Sequence, residues 1–140
     1  MGKYLLTDGY VEINTVDLSN YAHTLDTAQE KERVDVSGFN SSGTKEFLPG
    51  SKDETATIGF RQDFTTSKVH QTLEPLFRNA TQFGFSVRST SGTVSAQNPR
   101  FWGTASLFGY NGLSGEISSV GEVTAELHPA TSTGFVWATS

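Results

Sequence analysis

The chain has 140 residues, no cysteine and a formal charge of −5 at pH 7. This length suits one domain, the absence of cysteine excludes a disulfide framework and a thiolate zinc site, and the acidic balance disfavours ordinary binding to a nucleic-acid phosphate backbone. Ten Phe, four Tyr and two Trp among many Thr, Ser and Val favour pleated sheet over helix. No apolar run approaches the roughly 18 residues of a membrane span, and residues 1–10 lack the basic start and apolar centre of a signal peptide. The expectation is a soluble chain made in the cytoplasm, with no membrane partner.

Residues 10–16 alternate, Val11 and Ile13 against Glu12 and Asn14, with the period of a half-buried strand. After a polar turn at 18–21, residues 22–29 can run extended. Residues 31–39 alternate again, with Val34, Val36 and Gly38 on one side. Ser41, Ser42 and Gly43 form a turn cluster, and Pro49-Gly50 breaks the chain a second time. Between them Phe47 and Leu48 make an apolar island among charged residues, so residues 38–54 read as a long loop. Either it folds back on the core or it presents a contact.

Residues 55–64 form a strand with Ala56, Ile58 and Phe60 on one face. The period then changes. Val69, Leu73, Leu76 and Phe77 make one helical stripe over residues 67–79, with Thr66 or Ser67 as the expected N-cap and Asn79 as the left-handed C-terminal residue. Pro75 limits the helix to a short element. Phe83, Phe85 and Val87 mark the next strand, and residues 89–99 its loop.

Residues 100–110 carry two apolar faces, Phe101, Ala105 and Leu107 on one and Trp102 and Phe108 on the other, as in a strand covered on both sides. Residues 111–120 are Gly/Ser-rich and read as a flexible hairpin. Alternation returns at 121–128, with Val123, Ala125 and Leu127 against Glu122, Thr124 and Glu126, and Pro129 ends it. Phe135, Val136 and Trp137 lie in a tail, residues 130–140, that would otherwise fray, so they want a partner. About seven strands and one helix in a single domain, residues 1–140, point to a β-sandwich flanked by a helix.

Motifs for chemistry are missing. His23, His70 and His128 stand on different elements without ligand spacing, so no metal site is expected, although His128 can approach Glu126 along one strand face. The acidic pairs Glu30/Glu32 and Asp53/Glu54 lie in polar segments without the desolvation that a general acid requires. No nucleophile elbow, phosphate loop or dinucleotide fingerprint occurs, so no catalytic residue and no cofactor is expected. The sequons at Asn40 and Asn79 carry no weight outside secretion.

The order of features carries specific words. They are Val34-Asp35-Val36-Ser37-Gly38-Phe39, Phe47-Leu48-Pro49-Gly50 with Asp53, then Phe60 and Asp63-Phe64. Val69, Leu73, Pro75 and Leu76 follow, then Asn98-Pro99, Gly103 and Gly115-Glu116. In this order the chain resembles the tail-tube, or major tail, protein family of long-tailed bacteriophages. It departs from the family's words at Ser51, where an apolar residue is usual, and the expectation is a subunit without the immunoglobulin-like decoration domain of some relatives.

The resemblance implies a mainly β, two-sheet sandwich with one short helix, assembled into hexameric rings that stack into a hollow tube for DNA ejection. The implied partners are other copies of the chain, further tail proteins such as tape measure, terminator and distal tail protein, and double-stranded DNA in transient, non-specific passage. The implied location is the virion tail. Ring and stack each need a heterologous interface. The expected interface residues are Phe39, Phe47 and Leu48 of the long loop and Phe135, Val136 and Trp137 of the arm. Without residues 130–140 the subunit is expected to fold and not to polymerise. Glu122 and Glu126, in the arginine-free last third, are expected to face the lumen, where an acidic wall lets DNA slide. The alternatives are a tail terminator, the inner tube of a contractile system, and a monomeric carbohydrate-binding sandwich using Trp102 and Trp137.

Overall fold

The computed structural model describes residues 8–39 and 42–140. Residues 1–7, and the Asn40 and Ser41 part of the expected turn cluster, lie outside the described residues. The described residues form eight strands and one helix: β1 (Tyr10–Ile13), β2 (Val16–Asp17), β3 (Ala22–Asp35), β4 (Phe47–Arg61), α1 (Val69–Arg78), β5 (Phe83–Arg88), β6 (Arg100–Tyr110), β7 (Glu122–Pro129) and β8 (Val136–Ala138). The expected mainly β fold with one short helix is present.

The strands that the sequence divided between two layers are joined in one antiparallel sheet of order β2-β1-β5-β6-β7-β4-β3, with β8 also on β6. The long strand β6 explains the continuity. One of its edges carries β5, while the other carries β7 beside Ala105–Tyr110 and then β8 beside Arg100–Trp102. The inward residues of nearly every strand meet in one apolar cluster, which requires the sheet to coil on itself.

The alternations marked in the sequence fill that cluster. Ala56, Ile58 and Phe60 of β4, Phe83, Phe85 and Val87 of β5, and Val123, Ala125 and Leu127 of β7 are all buried. Helix α1 adds Val69, Leu73 and Leu76, whereas Phe77, expected in the same stripe, is exposed. Neither Thr66 nor Ser67 caps α1, because Lys68 holds the N-cap position with no side-chain bond. At the other end Asn79 is not left-handed (φ −93°); Ala80 is (φ 52°). Thr81 N–H donates to Leu76 O and Ala80 N–H to Phe77 O, the two bonds of a Schellman ending.

The largest departure is in residues 22–54. The extended segment expected at 22–29 and the first part of that expected at 31–39 are one strand, β3, which ends at Asp35, and much of the expected loop at 38–54 is the first half of β4. The two pair from Ala22↔Phe60 to Asp35↔Phe47 in a single long hairpin. Its charged outer half has no buried face, so beyond the alternation of Val34 and Val36 no hydrophobic period announces it.

Candidate assembly surfaces

Beyond Glu54 the hairpin leaves the sheet, since β7 pairs with β4 only between Ala56 and Arg61. The ladder continues past Asp35↔Phe47 through Val36 N–H donating to Glu46 O at 3.0 Å and Ser37 Oγ accepting from Glu46 N–H at 2.7 Å. Ser37 N–H also donates to Asp35 Oδ1, and Ser37, through this N–H and then its hydroxyl, holds the Asp35 carboxyl below its usual range. A two-stranded ribbon standing alone is at best marginally stable in water.

This ribbon has features that a solvated arm does not need. Val34 pairs with Leu48 and, with Val36, leaves an apolar face in water; Leu48 is 57% exposed. Phe47, 41% exposed, lies on the other face under the Arg33 guanidinium, 4.5 Å from its ring centre. Nearer the sheet, Glu30 stands opposite Asp53 and Lys31 opposite Lys52, like charges that repel across a pair. Successive residues point to opposite faces, so Glu30 and Asp53 share one face and Lys31 and Lys52 the other, where Glu54 also lies. Phe39 is fully exposed at the tip. Val34 and Val36 were legible as alternation; the paired like charges were not, because register depends on the partner strand.

The carboxy-terminal segment is placed differently from the expectation. Phe135 is 1% exposed and packs edge-on against Phe85 and Phe101, with ring centres 4.7 and 5.5 Å apart. It is therefore part of this chain's own core and is not held out for a neighbour. Gly103 makes room for it, since a Cβ there would lie 2.7 Å from the Phe135 ring. Val136 is partly buried and Trp137 exposed, both on β8 against β6.

A polar network ties this segment to the hairpin base. Trp137 Nε1–H donates to Gln29 Oε1 at 2.9 Å, and Gln29 Nε2 donates to Glu54 Oε2 at 2.7 Å. Glu54 is buried, accepts a 3.3 Å bond from Phe135 N–H and lies 3.7 Å from Lys52 Nζ. Such a carboxylate is tolerated in the interior because its oxygens have partners. Deleting residues 130–140 removes a core side chain and one of the donors to Glu54. The segment expected to be dispensable for folding therefore carries part of the subunit's own core.

The outward face of the sheet collects hydroxyls and acids. Asp26, Thr57 and Glu126 lie in one row across β3, β4 and β7. Glu122 faces outward beside Arg61, which donates to it at 2.9 Å, and Glu126 pairs with His128 at 2.7 Å. The last third is arginine-free in sequence, yet folding brings Arg61 to it, so the face is acidic without being purely so. Trp102 and Phe108 also point outward and are exposed; within this chain β6 is covered on one face only. Among the described residues no three His, Asp or Glu gather to hold a metal, and no helix is long and apolar enough to cross a membrane.

No family model matches the sequence, and no curated protein does. Solved structures do. A chain from the virion of a native gene transfer agent particle superposes with a TM-score of 0.76 at 11% identity, covering 97% of this chain and 99% of that one. A chain of the SPP1 tail tube gives 0.72 at 13% identity over 99% of this chain and 80% of that one. A chain from the tail of an empty gene transfer agent particle, refined with C6 symmetry, gives 0.66 at 12% identity over 86% and 82%. The chain has the fold of these tail and virion subunits over nearly its whole length.

Proposed function

We propose that this chain is a structural virion protein whose copies form stacked hexameric rings, the hollow tail tube through which phage DNA passes. The observation that carries the reading is the hairpin of β3 and β4. A ribbon with apolar side chains on both faces of its outer half, and with like charges stacked in register, is poorly suited to water and well suited to a slot between other copies of the same chain. Phe39, Phe47 and Leu48 are its contact residues. The fold shared with tail subunits, one set refined with C6 symmetry, supports the same reading.

The outward sheet face, with Glu122 and Glu126, lines the channel. DNA carries a charge about every 1.7 Å of axis and would be gripped by a basic wall through counterion release; an acidic, hydroxyl-rich face with few cations repels it and lets it slide. The exposed outer edge of β3 offers main-chain groups for pairing in the ring. At its ends such a tube meets terminator, distal tail and tape-measure proteins. No catalytic role is assigned to any residue. Electron microscopy of the purified chain over a concentration series tests the reading: hollow tubes are expected.

A further inference from the structure

The two ends of β6 carry complementary features that the hairpin reading does not use. At the Arg100 end a cleft of about 270 Å³ opens into the coiled sheet, with Leu25, Val87, Pro99, Phe101 and Trp137 as apolar lining and Arg88 at its edge. The Arg88 guanidinium lies 3.9 Å over the centre of the Tyr10 ring and donates to the carbonyls of Thr90, Ser91 and Gly92; among the described residues it pairs with no carboxylate.

At the Tyr110 end, the loop of residues 111–121 does the reverse. Leu113 and Ile117 are 84% and 98% exposed, and Glu116 beside them is exposed. The loop is nevertheless shaped. Glu122 N–H donates to Ser114 O at 2.9 Å, Ser119 N–H to Glu116 O at 3.0 Å, and Gln62 Nε2 to Gly112 O at 2.6 Å. Holding two large apolar side chains in water on an ordered loop lowers the cost of inserting them elsewhere.

Knob and cleft sit at opposite ends of an 11-residue strand, about 33 Å apart at the usual strand rise. A surface cannot meet its own complement at that distance within one chain. Between copies, complementary patches at opposite ends make a head-to-tail contact that repeats without closing.

We propose that the loop of one copy seats Leu113 and Ile117 in the cleft of the next, with Glu116 against Arg88, and that this contact stacks copies along the tube. The inference rests on the tail-tube reading and names the residues of one of its interfaces.

The chain has no cysteine, which makes disulfide trapping clean. Ile117→Cys and Gln97→Cys, both at exposed positions, put one thiol on the loop and one on the cleft rim. After mild oxidation of assembled protein, non-reducing gels are expected to show a ladder that climbs past the copies of one hexameric ring, while each single variant runs as one copy. Tubes without a ladder overturn the inference and leave the tail-tube reading standing. So does a ladder that stops at one ring, or dimers of the Ile117→Cys variant alone, which would mean that loop meets loop. A ladder that appears only after removal of residues 1–7 assigns the cleft to the chain's own first residues and overturns it too.

If the double variant makes no tubes, Ile117→Asp decides the question. It is expected to melt at the wild-type temperature and to yield rings or single copies; normal tubes would refute the contact. A wild-type chain that never polymerises rejects the tail-tube reading itself, and the stacking contact with it.

Discussion

Ala80 closes helix α1 in the left-handed region, at φ 52°, where its Cβ crowds the following carbonyl. Glycine has no such cost and is the usual residue there. Ala80→Gly is therefore expected to stabilise the subunit by about 0.5–1 kcal/mol, less than the full relief because glycine also loosens the unfolded chain. A rise of a few degrees in the thermal midpoint checks this, and a fall contradicts the Schellman geometry. The sequence pointed to this turn and to the wrong residue in it. Asn79 is the commoner left-handed residue by composition, but the helix runs one residue further than its apolar stripe, to Arg78, and the two closing bonds come from Ala80 and Thr81. The missed N-cap has a similar cause. Asp63 accepts the Thr65 N–H at 2.8 Å, and the chain enters α1 through a turn that leaves Thr66 and Ser67 outside it.

At the scale of elements, those with a buried face were legible and those without were not. In β4, β5 and β7 a strict alternation of apolar residues marks the inward side, and every marked residue is buried. The outer hairpin has no such side, so its second strand passed as part of a loop and its first as two separate extended segments. Its proposed role gives a direct expectation. Phe47→Ser with Leu48→Ser removes exposed side chains that contribute little to the isolated subunit, so the melting temperature should stay within about 2 °C of wild type, as is usual for surface changes. Sedimentation should nevertheless find single copies where the parent chain polymerises. Polymers of normal length would contradict the contact.

Phe135 reads the other way. Its burial depends on Gly103 and Glu54, far away in sequence, and no local pattern announces it. Phe135→Ala should cost about 3–5 kcal/mol of subunit stability, as for other buried aromatics. A denaturant midpoint equal to wild type would show that the segment does not belong to the core.

For the whole molecule, composition and order of elements were enough for a mainly β fold with one helix, because one apolar side per strand and one helical stripe leave few ways to bury them together. That the layers are a single coiled sheet was not legible: it follows from the length of β6, which bridges β5 on one edge and both β7 and β8 on the other. Charge asymmetry along the chain also translated only in part. Glu122 and Glu126 do share an outward face, but Arg61 joins them from a distant strand. The central claim concerns what this face and the hairpin meet when copies assemble. A cryo-electron microscopy reconstruction of the purified, concentrated chain examines both at once. The expected map is a hollow tube with the β3–β4 ribbon lodged against neighbouring copies and Glu122 and Glu126 lining the channel. Single particles at every concentration, or tubes with those glutamates on the outer surface, would contradict it.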